Sequence, residues 1–181
     1  MNEGLIPRRY AKALLKFAKE KSCAERVYSQ MQTLARSFAG NSGLTDALKN
    51  PFVDDKAKRQ LVLAAAGSDD MDSVLGDFVS LLMQNNRVGM TRDIAIAYQD
   101  LFRKANNIYP VEITSATEMD EAELKRLKQL IEKHLHGATA EYTLNVNSEL
   151  IGGFVVNIGS ERLDASLQNE LKQLRLKLLS K

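Results

Sequence analysis

Two histidines, one cysteine and a short acidic run are the side chains best suited to chemistry here, and their spacing is wrong for most of it. His134 and His136 stand two residues apart. On a helix that separation turns them to different sides, and only Glu132 lies near them in sequence, so a shared metal ion is not expected. A solvated helix end, where imidazole also favours the negative pole of the helix dipole, explains them better. Cys23 is the single cysteine. It has no partner for a disulfide or a metal cage, which fits a reducing compartment, and it reads as a half-buried helix residue. Glu118-Met119-Asp120-Glu121 gathers carboxylates, but at a helix start they serve the positive dipole end without acid–base work. Gly152, Gly153 and Gly159 fall within strands and turns and do not open a helix, so the dinucleotide fingerprint fails on context, and no glycine-rich loop leads into Lys-Ser or Lys-Thr. No catalytic residue, cofactor or metal is expected, and the chain is not expected to be an enzyme.

The elements that position these residues divide the chain in two. From Pro7 to about Ala105 the apolar residues recur with helical period, cut by breakers into six helices. The first is expected from Arg8 to about Lys21 with Pro7 at its entry, and the second after Ser22 as N-cap, ending near Gly40. Gly43 and Pro51 bracket a short third. Asp54 or Asp55 caps a fourth that Gly67-Ser68 ends. Asp69-Asp70 precede a fifth from Met71 to Asn86, and the sixth runs from Thr91 to about Lys104. At Asn106-Asn107 the period falls to two. Tyr109 to Ala116 reads as a strand, Thr117 to Gly137 as a helix with a leucine stripe, and Ala140 to Asn147 as a second strand. A hairpin follows around the strand Phe154-Val155-Val156-Asn157-Ile158, with Gly152-Gly153 supplying a tight turn or a close backbone approach before it and Gly159-Ser160 a turn after it. Leu167 to Leu179 forms a last amphipathic helix. The predicted fold is α+β: a six-helix bundle over residues 1–105, then a small α/β domain over 106–181.

With 181 residues, 44% apolar and 27% charged, the chain has the composition of an ordinary globular protein. Its formal charge is only +2, but residues 1–105 hold 16 basic and 12 acidic side chains, and residues 106–181 hold 9 and 11. Arg8, Arg9, Lys12, Lys16 and Lys19 give the first helix a basic face that invites a nucleic-acid reading. Tyr10 and Phe17 fall on its apolar side, however, so stacking platforms are missing and a solvated face is favoured. No apolar run approaches the roughly 18 to 20 residues that cross a bilayer, and the first twenty residues show neither a secretory core nor a transit segment, so membrane association is expected only through partners.

Two helices are apolar over more than one core requires. Tyr10, Ala13, Leu14 and Phe17, extended by Ala11, Leu15 and Ala18, sweep an arc of roughly 200° at about 100° per residue. In the fifth helix Val74, Leu75, Phe78, Val79, Leu81, Leu82 and Met83 sweep about as much. Such helices are either central in the bundle or face a partner.

The stretch Leu150-Ile151-Gly152-Gly153-Phe154-Val155-Val156-Asn157-Ile158-Gly159-Ser160-Glu161-Arg162-Leu163-Asp164-Ala165-Ser166-Leu167 resembles the signature of the delta subunit of the rotary F-type ATP synthase, called the oligomycin sensitivity conferral protein in mitochondria. Arg9-Tyr10-Ala11-Lys12-Ala13-Leu14, Asn50-Pro51 and Leu82-Met83-Gln84-Asn85-Asn86-Arg87 extend the resemblance over nearly the whole chain. It implies a non-catalytic stator subunit on the cytoplasmic face of a bacterial inner membrane. The N-terminal domain would hold the N-terminal segments of the alpha subunits, and the C-terminal domain would meet the b subunits of the peripheral stalk. In the family the first and fifth helices are the docking surface, which makes Tyr10, Ala13, Leu14, Phe17, Phe78, Leu81 and Leu82 the candidates here. For the b subunits the last helix is nominated, through Leu171, Leu174 and Leu178. The competing expectation is a helical RNA-binding or ribosome-associated module.

Overall fold

The computed structural model describes the backbone of residues 4–68 and 74–179. The chain divides into two compact units, Met1–Arg103 and Lys104–Lys181.

The first unit is a bundle of six helices: α1 (Leu5–Glu20), α2 (Ala24–Gly40), α3 (Gly43–Lys49), α4 (Asp55–Ala65), α5 (described over Val74–Gln84) and α6 (Thr91–Ala105), whose last two residues pass the unit boundary. Residues 69–73, including Asp69, Asp70 and Met71, lie outside the described residues. α1 starts at Leu5, three residues before the expected Arg8, because Pro7 occupies its first turn, where a missing N–H costs nothing. Ser22 does not cap α2. It sits at φ +54° past the end of α1, where Cys23 N–H donates to Ala18 O at 2.9 Å and Ser22 N–H to Lys19 O at 3.0 Å. That is a Schellman ending, and Cys23 takes the N-cap position of α2 instead of lying within the helix. Asn86 closes α5 the same way, at φ +55° with Arg87 N–H on Leu82 O at 2.7 Å. This gives the Asn85-Asn86-Arg87 segment a purely local reason.

The core of the bundle is built on α2, α5 and α6. Met31, Leu34, Leu75, Leu82, Ile94 and Tyr98 are at most 1% exposed, each contributing roughly 2 to 3 kcal/mol of burial. Its polar groups are spent on other helices: Tyr98 OH donates to Ala24 O at 3.2 Å, Gln99 Nε2 to Met31 O at 3.1 Å and Ser37 Oγ to Ala65 O at 2.8 Å. Tyr28 stacks on Phe102 with ring centres 4.3 Å apart and accepts from Arg103 Nε at 3.0 Å.

The second unit is a four-stranded mixed sheet under one helix. β1 (Ile108–Ser115), α7 (Glu121–His134), β2 (Thr139–Val146), β3 (Gly153–Ile158), β4 (Glu161–Ser166) and α8 (Leu167–Leu179) follow in order, and the sheet reads β2-β1-β3-β4. β1 and β2 are parallel, Ile108 opposite Thr139 through Ser115 opposite Val146, so a crossover is obligatory and α7 supplies it. α7 starts at Glu121 and not at Thr117: Asp120 is extended at φ −63°, ψ 146°, and its Oδ1 accepts from Glu121 N–H at 2.9 Å. β3 runs antiparallel to both β1 and β4, and Ile158 faces Glu161 across the two-residue turn Gly159-Ser160, with Gly159 at φ +58°. Gly153 is at φ +77°, and a Cβ there would collide with the carbonyl of Ala165 on β4. A Cβ on Gly152 would strike Leu167, so the paired glycines let the hairpin close on the start of α8.

Candidate docking surfaces

Tyr10 on α1 meets Phe78 on α5 edge to face, ring centres 6.4 Å apart at 69°, so the two helices with wide apolar arcs lie side by side. The seven nominated residues then separate by depth. Leu14 and Leu82 are 1% and 0% exposed and belong to the bundle core, and Phe78 at 7% is nearly so. They support the surface from beneath, since a side chain already out of water gains nothing from further cover. Tyr10 and Phe17 are half-buried, and Ala13 and Leu81 are exposed, Leu81 at 43%. Lys21 Nζ lies 5.9 Å over the Phe17 ring and shields one end.

Two residues join this surface that the sequence reading left out of it. Ile6 is half-buried and stands four residues before Tyr10, giving Ile6, Tyr10, Ala13 and Phe17 the i, i+4, i+7, i+11 spacing of one helix line. A helix starting at Arg8 excludes it, whereas α1 starts at Leu5. Val74, also half-buried, makes the matching line on α5 with Phe78 and Leu81. The signal was present, since Val74 belongs to the wide arc. Two apolar rows thus lie on adjacent helices.

In the second unit α7 packs through Leu127 and Ile131 on Val111, Ile113 and Val156. Tyr142 OH donates to Lys128 O at 3.3 Å, Lys128 Nζ lies 5.0 Å over that ring, and burial with a lesser push from Glu132 raises the phenol pKa. A helix about 10 Å wide covers only about two strands at roughly 4.8 Å spacing. The register puts Leu144 and Val146 of β2 and Leu163 of β4 on the same face as Ile113 and Val156, and they are 53%, 60% and 59% exposed. Between α7 and β4 a groove of about 450 Å³ is lined by Leu130, Phe154, Ile158 and Leu163 among others. At its rim His134 Nε2 lies 3.0 Å from Glu161 Oε2, which ties the end of α7 to the β3–β4 hairpin. On α8, Leu171 is 57% exposed; the side chains of Leu174 and Leu178 lie outside those described.

Among the described residues no three His, Cys, Asp or Glu side chains gather into a metal-binding group, and no helix is long and apolar enough to cross a membrane. The Asp164 carboxyl is held below its ordinary pKa by hydrogen bonds from Ser166, with Arg162 adding to them. Its Oδ1 accepts from Ser166 Oγ at 2.6 Å and from Ser166 N–H at 3.2 Å, and Arg162 Nη2 donates to Oδ2 at 3.1 Å. These bonds shape the passage from β4 into α8.

The sequence profile of the ATP synthase delta (OSCP) subunit matches residues 6–178. The ATP synthase subunit delta of Parabacteroides distasonis is 38% identical over 179 residues, 99% of this chain and 98% of that one. The subunit delta of Phocaeicola vulgatus is 35% identical over 178 residues, 98% of this chain and 96% of its own. In the cryo-EM structure of the Toxoplasma gondii mitochondrial ATP synthase hexamer one chain has the same fold, with a TM-score of 0.71 over 96% of this chain and 97% of that chain at 20% identity. Agreement of this kind along nearly the full length, above 30% identity in the bacterial relatives, means that the chain belongs to the ATP synthase delta (OSCP) subunit family.

Proposed function

We propose that this chain is a non-catalytic stator subunit of a rotary, proton-translocating ATP synthase. It links the catalytic head to the b subunits of the peripheral stalk and resists the torque of the rotor during ATP synthesis. Residues 1–105 take the N-terminal segments of the alpha subunits, and residues 106–181 meet the C-terminal ends of the b subunits. The chain works at the cytoplasmic face of a bacterial inner membrane and reaches the membrane only through the complex.

One observation carries this reading: Ile6, Tyr10, Ala13 and Phe17 on α1 and Val74 and Leu81 on α5 leave an apolar seat over the buried Leu14, Phe78 and Leu82. An amphipathic helix laid there desolvates anchors at i, i+4 and i+7 together. A joint that must hold under torque gains from apolar contact, since surface ion pairs weaken with salt. In the second unit the exposed leucines beside α7, together with Leu171 on α8, offer the b subunits an apolar face.

Calorimetric titration of the full chain with a synthetic alpha-subunit N-terminal peptide tests the reading. Binding at micromolar concentration is expected, weakened at least about ten-fold by Leu81→Asp, which is about 1.4 kcal/mol. Absence of binding at several hundred micromolar would overturn it.

A further inference from the structure

The seat between α1 and α5 has charged edges of opposite sign. Arg9 and Lys16 are seven residues apart on α1, so they share one line about 10 Å long, which runs beside Ala13 on the outer side of the helix. Both are exposed, and Lys16 meets Glu20 of its own helix in a loose 3.9 Å contact with its side chain 83% exposed. Arg8, Lys12 and Lys19 continue the positive face further round. The facing edge on α5 is acidic: Asp77, exposed and one turn before Leu81, occupies the outer position there. A helix lying in the seat would therefore meet Arg9 and Lys16 along one flank, with Glu20 only at the C-terminal end of α1, and the carboxylate of Asp77 along the other.

We propose, resting on the reading that this seat receives a partner helix, that Arg9 and Lys16 select its occupant. That occupant is an amphipathic helix whose apolar stripe is bordered on one flank by acidic side chains about two turns apart. Asp77 repels acid from the other flank, so the preferred helix is acidic on one side only. The apolar rows hold the helix, and the rims choose which helix enters and speed its arrival, as charges at an interface edge do. Because both cations are exposed, their effect fades within a Debye length of about 10 Å at 0.1 M salt and is strongest in dilute buffer.

The test uses the full-length chain and three synthetic helical peptides with one apolar stripe. Two positions seven residues apart on one flank are Glu, Gln or Lys in turn, and binding is followed by fluorescence anisotropy in dilute and in concentrated salt. In dilute salt the Glu peptide binds about ten-fold more tightly than the Lys peptide, with Gln between, and the gap closes to about two-fold in concentrated salt. The double variant R9E/K16E reverses the order with an unchanged circular dichroism spectrum. Equal binding of the three peptides, or an order that survives in R9E/K16E, overturns the proposal while leaving the seat intact. If no peptide binds at either salt concentration, the seat itself is refuted, and the selection with it.

Discussion

Among the described residues, 21 buried apolar side chains lie in the helical unit and seven in the sheet unit, although the units span residues 1–103 and 104–181. The difference is geometric. Six helices surround one another and can close a core on every side, whereas a single crossover helix covers half of a four-stranded sheet. The sheet unit by contrast keeps Leu130 of α7 exposed, with Leu144, Val146 and Leu163 of the sheet open beside that helix. Of the two, the bundle closes its own core, whereas the sheet unit leaves part of one apolar face uncovered among the described residues.

The sharpest way to break that contrast is Gly153→Val. It places a branched side chain at φ +77° against the Ala165 carbonyl, and a loss of about 4 kcal/mol is expected from backbone strain and overpacking together. Hydrogen exchange should show β3 and β4 opening while α2 and α6 keep their protection; loss of protection in both units would show that the bundle depends on the sheet. Leu14→Ala probes the other side. The residue is 1% exposed, so about 3 kcal/mol should be lost, and from the bundle only, in a denaturant melt followed by α1–α6 amides. A change under about 1 kcal/mol would place Leu14 on the surface and not in the core. Leu81→Asp should leave the melt within about 1 kcal/mol of the parent because the site is 43% exposed, yet it weakens helix binding at least about ten-fold. The smallest effect is that of Tyr98→Phe, which removes the bond to Ala24 O and costs about 1 kcal/mol. Burial, with a lesser push from Cys23, also raises the Tyr98 pKa above its ordinary 10.0. The folded chain then keeps a proton that the unfolded chain has lost, so this contribution is complete below pH 10 and declines above it. Stability of the parent should fall more steeply than that of Tyr98→Phe as the pH rises past 10.

Periodicity and breakers disclosed most of the fold, because each helix and strand here is a local consequence of spacing. Gly153 and Gly159 marked the hairpin correctly, since backbone angles of that sign leave a direct trace in residue type. Caps were less legible. Ser22 looks like an N-cap by composition, yet it closes α1, and Asp120 rather than Thr117 begins α7; a capping residue type says little about which helix it serves. Strand order was not legible at all: that β3 lies beside β1, antiparallel to it, follows from which apolar faces find α7. The candidate seat was half visible. A wide arc identifies α1 and α5, but it holds Leu81 and Leu82 alike, and only packing separates the residue at 43% exposure from the one at 0%.

Whether α1 and α5 seat a helix is decided by amide chemical-shift mapping of the full chain with the alpha-subunit N-terminal peptide. Saturable shifts are expected at Ile6, Tyr10, Ala13, Phe17, Val74, Phe78 and Leu81. Shifts centred on α3, α4 or the sheet unit, with these residues unmoved, would contradict that seating.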